Sequence, residues 1–410
     1  MKRLVLNIPY SLSKNLSLED RDTEQCTRTI FNKITGSRIK VSDEVIKLFK
    51  LFRRPKTLEQ VFRLLHFKNI SDRKMICNTL RYLISSDTLV KEEKARDIDK
   101  DSDIFVKPRQ TFVSSPYIPQ IELPKGDGVL FCGVPVDFAT TGYPGARMAP
   151  EKLRDVSTRF VQYERDVFSL QSKGWYSMTS EQCLLKNIPV GDCGDIAYEL
   201  SENPKGFYHR CYKAARLLFS TGYLPVFLGG DHSITPPIVR AYEEKVSGTA
   251  IIQIDAHTDL AEWVGERNHH HGNMMTRVLA ENPKVTVYQY GMRGFAGEPT
   301  SNKRLVQTYG GEIDTSLQKV IQKIPRNKNC YITFDVDSLD PVYAPGTGTP
   351  VPFGMEPKTL TILIREIAKH NTIVAIDIVE LNPMLDTGDR TTSLVFHLLM
   401  EILGDVFRYR

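Results

Sequence analysis

AIIQIDAHTD, residues 250–259, sets a short apolar, β-branched run directly against Asp255, His257 and Asp259. A run of this length that stops at polar turn formers reads as a buried strand. The polar groups then sit at its carboxyl end. The same grammar occurs twice more: LPVFLGGDHS (224–233) runs into Asp231 and His232, and CYITFDVDSLDP (330–341) runs into Asp335, Asp337 and Asp340. Moving outward, VLFCGV (129–134), IPVGD (188–192), VTVYQYG (285–291) and IVAIDI (373–378) are further runs of the same kind. Amphipathic stretches such as KGFYHRCYKAARLLFS (205–220) and EPKTLTILIREIAKH (356–370) lie between them. Strands apolar on both faces, alternating with helices, predict a mostly parallel sheet between two helix layers, a three-layer α/β fold.

In open α/β sheets, ligands sit beyond the carboxyl ends of the strands. Three strands would therefore deliver His232, His257 and a crowd of aspartates to one edge. Crowded carboxylates cannot all ionise without a counter-charge. A lone aspartate at a strand end is ordinarily a turn former, but three such clusters after three apolar strands point to divalent cations. Carboxylate with imidazole suits Mn²⁺, Zn²⁺, Fe²⁺, Ni²⁺ or Co²⁺, and the excess of carboxylate without cysteine favours manganese. The ligands exceed one ion's needs. Two ions, roughly 3.5–4 Å apart and sharing a carboxylate and a water, account for them.

GGDHS (229–233), DAHTD (255–259) and DVDSLDP (335–341) resemble the signature motifs of the ureohydrolases, the arginases, agmatinases and their relatives. GVPVDF with GYPGARMAPEKLR (within 133–154), APGTGTP (344–350) and IDIVELNP (376–383) are similar to other stretches of that family. The resemblance spans roughly 128–405 and implies an arginase-like fold, hydrolysis of a guanidino group with release of urea, and assembly as a homo-oligomer. It implies that His232, Asp255, Asp259 and Asp335 hold one ion. Asp255, His257, Asp335 and Asp337 would hold the other, so that Asp255 and Asp335 bridge. It implies a proton-shuttling histidine before Gly272, which is His271, with His270 next, and a guanidinium clamp at Glu380. His269 is read as surface, Asp340 as a turn anchor, Ser233 and Thr258 as residues that orient ligands, and Arg147 as a loop anchor or subunit contact. LAEWVGERNHHHG (260–272) departs from the arginase pattern, with Glu262 and Trp263 in place of small polar groups. Free arginine is therefore not the expected substrate.

The front of the chain differs. Residues 1–100 carry a net +9 within a total of +5, so the remainder is mildly acidic. Residues 1–35 are uninformative. VSDEVIKLFKLF (41–52), TLEQVFRLLHF (57–67) and DRKMICNTLRYLISSDTLV (72–90) each have helical apolar spacing, with Ser42 or Asp43 and Thr57 as caps. We expect a winged-helix-like module over 1–92 (core 36–92), a charged and proline-rich linker over 93–127 that wraps over the body, and the catalytic domain over 128–410. The module is similar to small domains that grip the leader of a precursor peptide. That would make the substrate arginine within a peptide, converted to ornithine in place. The alternatives are a small-molecule ureohydrolase of the agmatinase or guanidinobutyrase type and a DNA-binding regulator. Nucleic acid is not expected, because the third helix offers few side chains for reading bases. The seven widely spaced cysteines lack a CxxC pair, which argues for a reducing, cytoplasmic setting. No run of eighteen apolar residues predicts a membrane span.

Overall fold

The computed structural model describes residues 9–12, 16–22, 27–32, 38–52, 56–65, 70–85, 89–91, 104–160, 163–164, 171–198, 202–263, 269–295 and 301–410. The chain divides into two compact units, Met1–Ser102 and Asp103–Arg410.

In the first unit β1 (Pro9–Leu12) precedes β2 (Leu16–Asp22), β3 (Thr27–Asn32) and β4 (Arg38–Ser42). Then follow α1 (Asp43–Leu51), β5 (Lys56–Thr57), α2 (Leu58–Leu64), α3 (Ile70–Ser85) and β6 (Leu89–Lys91). The expected helices form, although the third ends at Ser85. Thr57 caps α2 reciprocally: Gln60 N donates to Thr57 Oγ1 (3.2 Å) and Thr57 N to Gln60 Oε1 (3.0 Å). Ser42 stands at the α1 cap without a side-chain capping bond. The apolar helix faces meet in a small core of Phe52, Leu58, Val61, Leu80 and Leu83, joined by Ile30 and Leu89. Two small antiparallel sheets, β2–β3–β4 and β5–β1–β6, accompany the helices. Residues 1–35, which gave no signal in the sequence, supply β1, β2 and β3.

The second unit is built on a nine-stranded sheet. Its strands are β7 (Phe105–Val106), β8 (Val129–Gly133), β11 (Val190–Ile196), β12 (Leu224–Leu228), β13 (Ala250–Ile254), β14 (Thr286–Met292), β15 (Leu305–Tyr309), β16 (Asn329–Asp335) and β17 (Thr372–Val379). Trp175–Ser177 and Gln182–Leu184 (β9 and β10) pair separately. The order is β15-β14-β13-β16-β17-β12-β8-β11-β7, and every pairing is parallel except the antiparallel β7 at the edge. Strand residues alternate between two apolar layers. Val129, Phe131, Val226 and Leu228 face the helices 149–160, 357–370 and 390–409. Leu130, Cys132 and Phe227 face the helices 204–219, 235–243 and 274–281. The three-layer parallel fold read from the sequence is therefore present.

The expected linker is corrected in its second half. Residues 92–103 lie outside the described residues, but 104–127 are part of the second unit. Phe105 and Val106 pair with β11, and Phe112 N donates to Asp192 Oδ2 (2.8 Å) and Val113 N to Ser157 Oγ (2.8 Å). Asp192 is held in turn by Arg154, a guanidinium only 1% exposed, through Nε (2.8 Å) and Nη2 (3.0 Å), while Nη1 reaches Asp195 (2.5 Å). A buried charge is tolerable here because bidentate and backbone bonds satisfy it.

Candidate metal centre

Four neighbouring strands, β13, β16, β17 and β12, end at one edge of the sheet. β17, between β16 and β12, could not be placed there from sequence alone. Past β12 the chain turns through Gly229 and Gly230, both at positive φ (75° and 88°); a side chain at Gly230 would meet Val134 O at 2.7 Å. That turn brings His232 back over the strand ends. Asp259 (φ 52°) and Glu380 (φ 61°) are non-glycine residues in the same left-handed region, a local strain that the surrounding bonds hold in place.

His232 Nδ1 lies 3.2 Å from Asp255 Oδ2, 3.1 Å from Asp259 Oδ2 and 3.1 Å from Asp335 Oδ2. His257 Nδ1 lies 3.0 Å from Asp337 Oδ2 and 3.7 Å from Asp255 Oδ1. Two potential ligand triads result, His232–Asp255–Asp259 and Asp255–His257–Asp337, sharing Asp255. Asp255 is the residue common to both. Asp335 points Oδ2 at His232 and its Oδ1 accepts the Asp337 amide (2.8 Å), but it belongs to neither triad.

The donor chemistry fits cations. Thr333 Oγ1 lies 3.4 Å from Thr235 Oγ1, whose own proton goes to Asp377 Oδ2 (2.8 Å), an oxygen that also accepts from Tyr331 Oη (2.6 Å), so Thr333 donates to Thr235. The Thr333 hydroxyl must then accept from His232 Nε2, at 2.7 Å. This fixes the tautomer and leaves a lone pair on Nδ1, which is buried without a hydrogen-bond partner among the described residues. The carboxylates also conflict with one another. Burial and the Asp255 charge push Asp259 up to about 6. Burial and the charges of Asp337 and Asp255 hold Asp335 well above the usual carboxylate range. A divalent ion on Nδ1 would relieve both conditions.

Further out, Gln253 Nε2 donates to Asp255 Oδ2 (2.7 Å), Gln289 Nε2 to Gln253 Oε1 (2.6 Å) and Gln307 Nε2 to Gln289 Oε1 (2.9 Å). This amide ladder across three strands aims Asp255. Arg293 Nη2 donates to the carbonyls of Asp337 (2.6 Å) and Val351 (2.7 Å), pinning the loop that carries Asp337. Sequence reasoning missed Thr333, Asp377, the glutamines and Arg293. The available signal was a polar residue inside an otherwise apolar strand.

His271 is fastened at both nitrogens. Thr141 N donates to Nε2 (3.0 Å), with Thr141 Oγ1 at 2.7 Å, so Nδ1–H donates to Glu380 Oε1 (2.8 Å). Burial works against its charged form, but Glu380 outweighs that and raises its pKa. Glu380, 2% exposed, also accepts the His232 amide on Oε1 (2.8 Å). Both bonds fall on Oε1, which leaves Oε2 for a ligand. His270 stands at the head of the turn 271–273 and does not line the cleft. His269 packs edge-on to Tyr208, ring centroids 4.4 Å apart. Ser233 bonds to Asp231 rather than to a ligand, and Asp231 Oδ2 accepts from Ala139 N (2.9 Å). Thr258 contributes its carbonyl to Gln289 (2.7 Å). Asp340 anchors its turn through Val342 N and Gly354 N (both 2.9 Å). Arg147 braces the first loop against Asp137 (3.0 Å). A cleft of about 560 Å³ opens over the cage, lined among others by Thr141, His257, Asp259, His271, Asp335 and Asp337.

The arginase family model matches residues 127–404. The mitochondrial agmatinase of Gallus gallus is 31% identical over 348 residues, 80% of this chain and 97% of that protein. The mitochondrial guanidino acid hydrolase of Homo sapiens is 30% identical over 291 residues, 68% of this chain and 78% of that protein. Among solved structures, the proclavaminate amidino hydrolase of Streptomyces clavuligerus superimposes with a TM-score of 0.62 at 25% identity, covering 75% of this chain and all of that one. Paired His/Asp triads at the strand ends of such a sheet, in a sequence so matched, lead to one conclusion: the chain belongs to the arginase family of ureohydrolases, hydrolases that act on amidine groups.

Proposed function

We propose that this enzyme uses two divalent cations, manganese first among them, to hydrolyse a small linear guanidino compound of the agmatine or guanidino-acid class, releasing urea. The observation that carries the reading is the pair of triads sharing Asp255 beneath an open cleft. His232, Asp255, Asp259 and Asp335 would hold one ion, and Asp255, His257, Asp335 and Asp337 the other. The cation pair lowers the pKa of water, so hydroxide is available near neutral pH.

This chain's own residues do the rest. Glu380 Oε2 accepts from the planar guanidinium and orients its carbon toward the cage. Attack at that carbon gives a tetrahedral species whose amine leaves only when protonated. His271 Nε2, released by Thr141, takes the proton of the added hydroxyl and hands it to that amine as the C–N bond breaks, and Glu380 Oε1 stabilises the imidazolium while it exists. We further propose a homo-oligomer in the cytoplasm. The described residues hold free cysteines and no helix long and apolar enough to cross a membrane.

A second reading is arginine inside a precursor peptide, whose leader would add to the N-terminal unit as a strand. The exposed Phe295 and Tyr309 at the rim of the cleft favour it, since a polypeptide would cover them. The test is urea release with manganese from agmatine, guanidinobutyrate, guanidine, free arginine and arginine-containing peptides. It compares the full chain with protein lacking residues 1–102, a cut that keeps β7. Urea from agmatine or guanidinobutyrate with both proteins supports the first reading. Urea from peptide alone, lost on truncation, replaces it with the second.

A further inference from the structure

A second cavity of about 560 Å³ is lined by residues close in sequence to those of the catalytic cleft, though the two linings have none in common. The loop 138–141 presents Phe138 to this cavity and Thr141 to the cleft; Trp263 and His269 line this cavity, while Ala261 and His271 line the cleft. The floor is Tyr208 on the helix 204–219, packed against Phe138 (centroids 5.5 Å, 71°) and His269 (4.4 Å, 83°). Tyr208 Oη bonds to Ser233 Oγ (2.6 Å) and Ser233 to Asp231, the residue before His232. The mechanism above uses none of these aromatic groups.

The charge on the lining is lopsided. Lys205, Arg240 and Arg277 face a single lining carboxylate, Glu281. The Arg240 side chain is 51% exposed, uses Nε on Glu244 (3.4 Å) and lies 4.9 Å over the Tyr212 ring. Arg277 Nε bonds to Glu281 Oε1 (2.6 Å), while Glu281 Oε2 is buried without a hydrogen-bond partner among the described residues. An amino group at the edge of a bound ring would satisfy that oxygen. Burial and the Arg277 charge push His269 down to about 4, so near neutral pH it offers an uncharged plane. Flat aromatic walls beside guanidinium groups suit a ligand that joins a ring to an anion.

We infer that this cavity binds a nucleotide-sized anion carrying a flat ring, and that its occupancy alters the catalytic cleft through the loop 138–141 and the hydrogen bonds that join Tyr208 to Ser233, Asp231 and Ala139. The probe is adenosine monophosphate, with adenosine (ring alone) and inorganic phosphate (charge alone) as controls. The chain has two tryptophans, Trp175 and Trp263, so Trp175→Phe leaves Trp263 as the reporter. The expected result is a saturable change in Trp263 emission with adenosine monophosphate, and at least about tenfold weaker binding of either control. Arg240→Ala should weaken adenosine monophosphate about tenfold and leave basal urea release unchanged. Calorimetry on the unmodified full chain repeats the titration without relying on the Trp175 variant. Absence of saturable binding in calorimetry, or equal affinity in Arg240→Ala, overturns the site. Saturating ligand should shift KM or kcat of the manganese-loaded enzyme at least about twofold; binding without any shift overturns the coupling. The binding arms need no turnover, so they stand apart from the hydrolase reading.

Discussion

Thr333→Val tests whether the tautomer of His232 is set from behind. Valine keeps the shape and removes the hydroxyl. His232 Nε2–H then loses its acceptor at 2.7 Å, while Asp377 keeps its bonds from Tyr331 and Thr235. His232 is 1% exposed, so water does not replace the lost partner. A buried donor left unpaired costs about 1–3 kcal/mol, and the metal-free protein should lose stability in that range. Freed of its tether, the ring no longer holds Nδ1 toward Asp255, Asp259 and Asp335. Loss of such an outer hydrogen bond weakens metal binding by about 10–100-fold, or about 1.4–2.8 kcal/mol. The assay is manganese competition against a fluorescent chelator, followed by urea release as manganese is raised. Because Thr333 touches neither substrate nor ion, excess manganese should restore most of the turnover. Wild-type metal affinity in a variant that melts like the wild type would refute the tautomer assignment.

His257→Ala and Asp337→Asn each dismantle one triad and leave the other. Atomic absorption should find about one ion per chain in place of two, with turnover down more than about a hundredfold; two tightly held ions would sink the ligand set. Arg154→Met leaves Asp192 and Asp195 without their cation, so urea unfolding should show a loss of about 3–5 kcal/mol, and an unchanged midpoint would contradict that account. Burial holds the folded His269 at about 4, below its unfolded value of about 6.5. Between those values the unfolded chain binds the extra proton, so stability is lost as pH falls from about 6.5 to about 4, by about 1–2 kcal/mol given partial solvent access. His269→Gln should flatten that part of the stability–pH curve, read by chemical denaturation; an identical slope would rule the group out.

The strand-and-acid grammar made the cage legible because its ligands follow their strands directly, as at Ile254–Asp255 and Phe334–Asp335. Periodicity carries no strand order, so the insertion of β17 between β16 and β12, which seats Glu380 beside His232, was invisible. The supporting groups were hidden for another reason. Gln253, Thr333 and Asp377 sit within apolar strands, where one polar letter looks like noise until a partner on the next strand is known. β7 is two residues long, too short for any pattern, and its proline-rich surroundings looked like connector. His270 and His271 are neighbours in sequence, and only backbone direction decides which reaches Glu380.

The position of β7 bears on how this gene can be cut and joined. The family match begins at 127, whereas the folded body begins near 103. A fusion spliced at residue 127 would strip the last ladder from β11 and expose an open strand margin, a template for self-association. It would also remove the backbone partner that Phe112 gives Asp192. The span that matches the family and the body that folds therefore have different starting points, and recombination that respected only the first would yield aggregates.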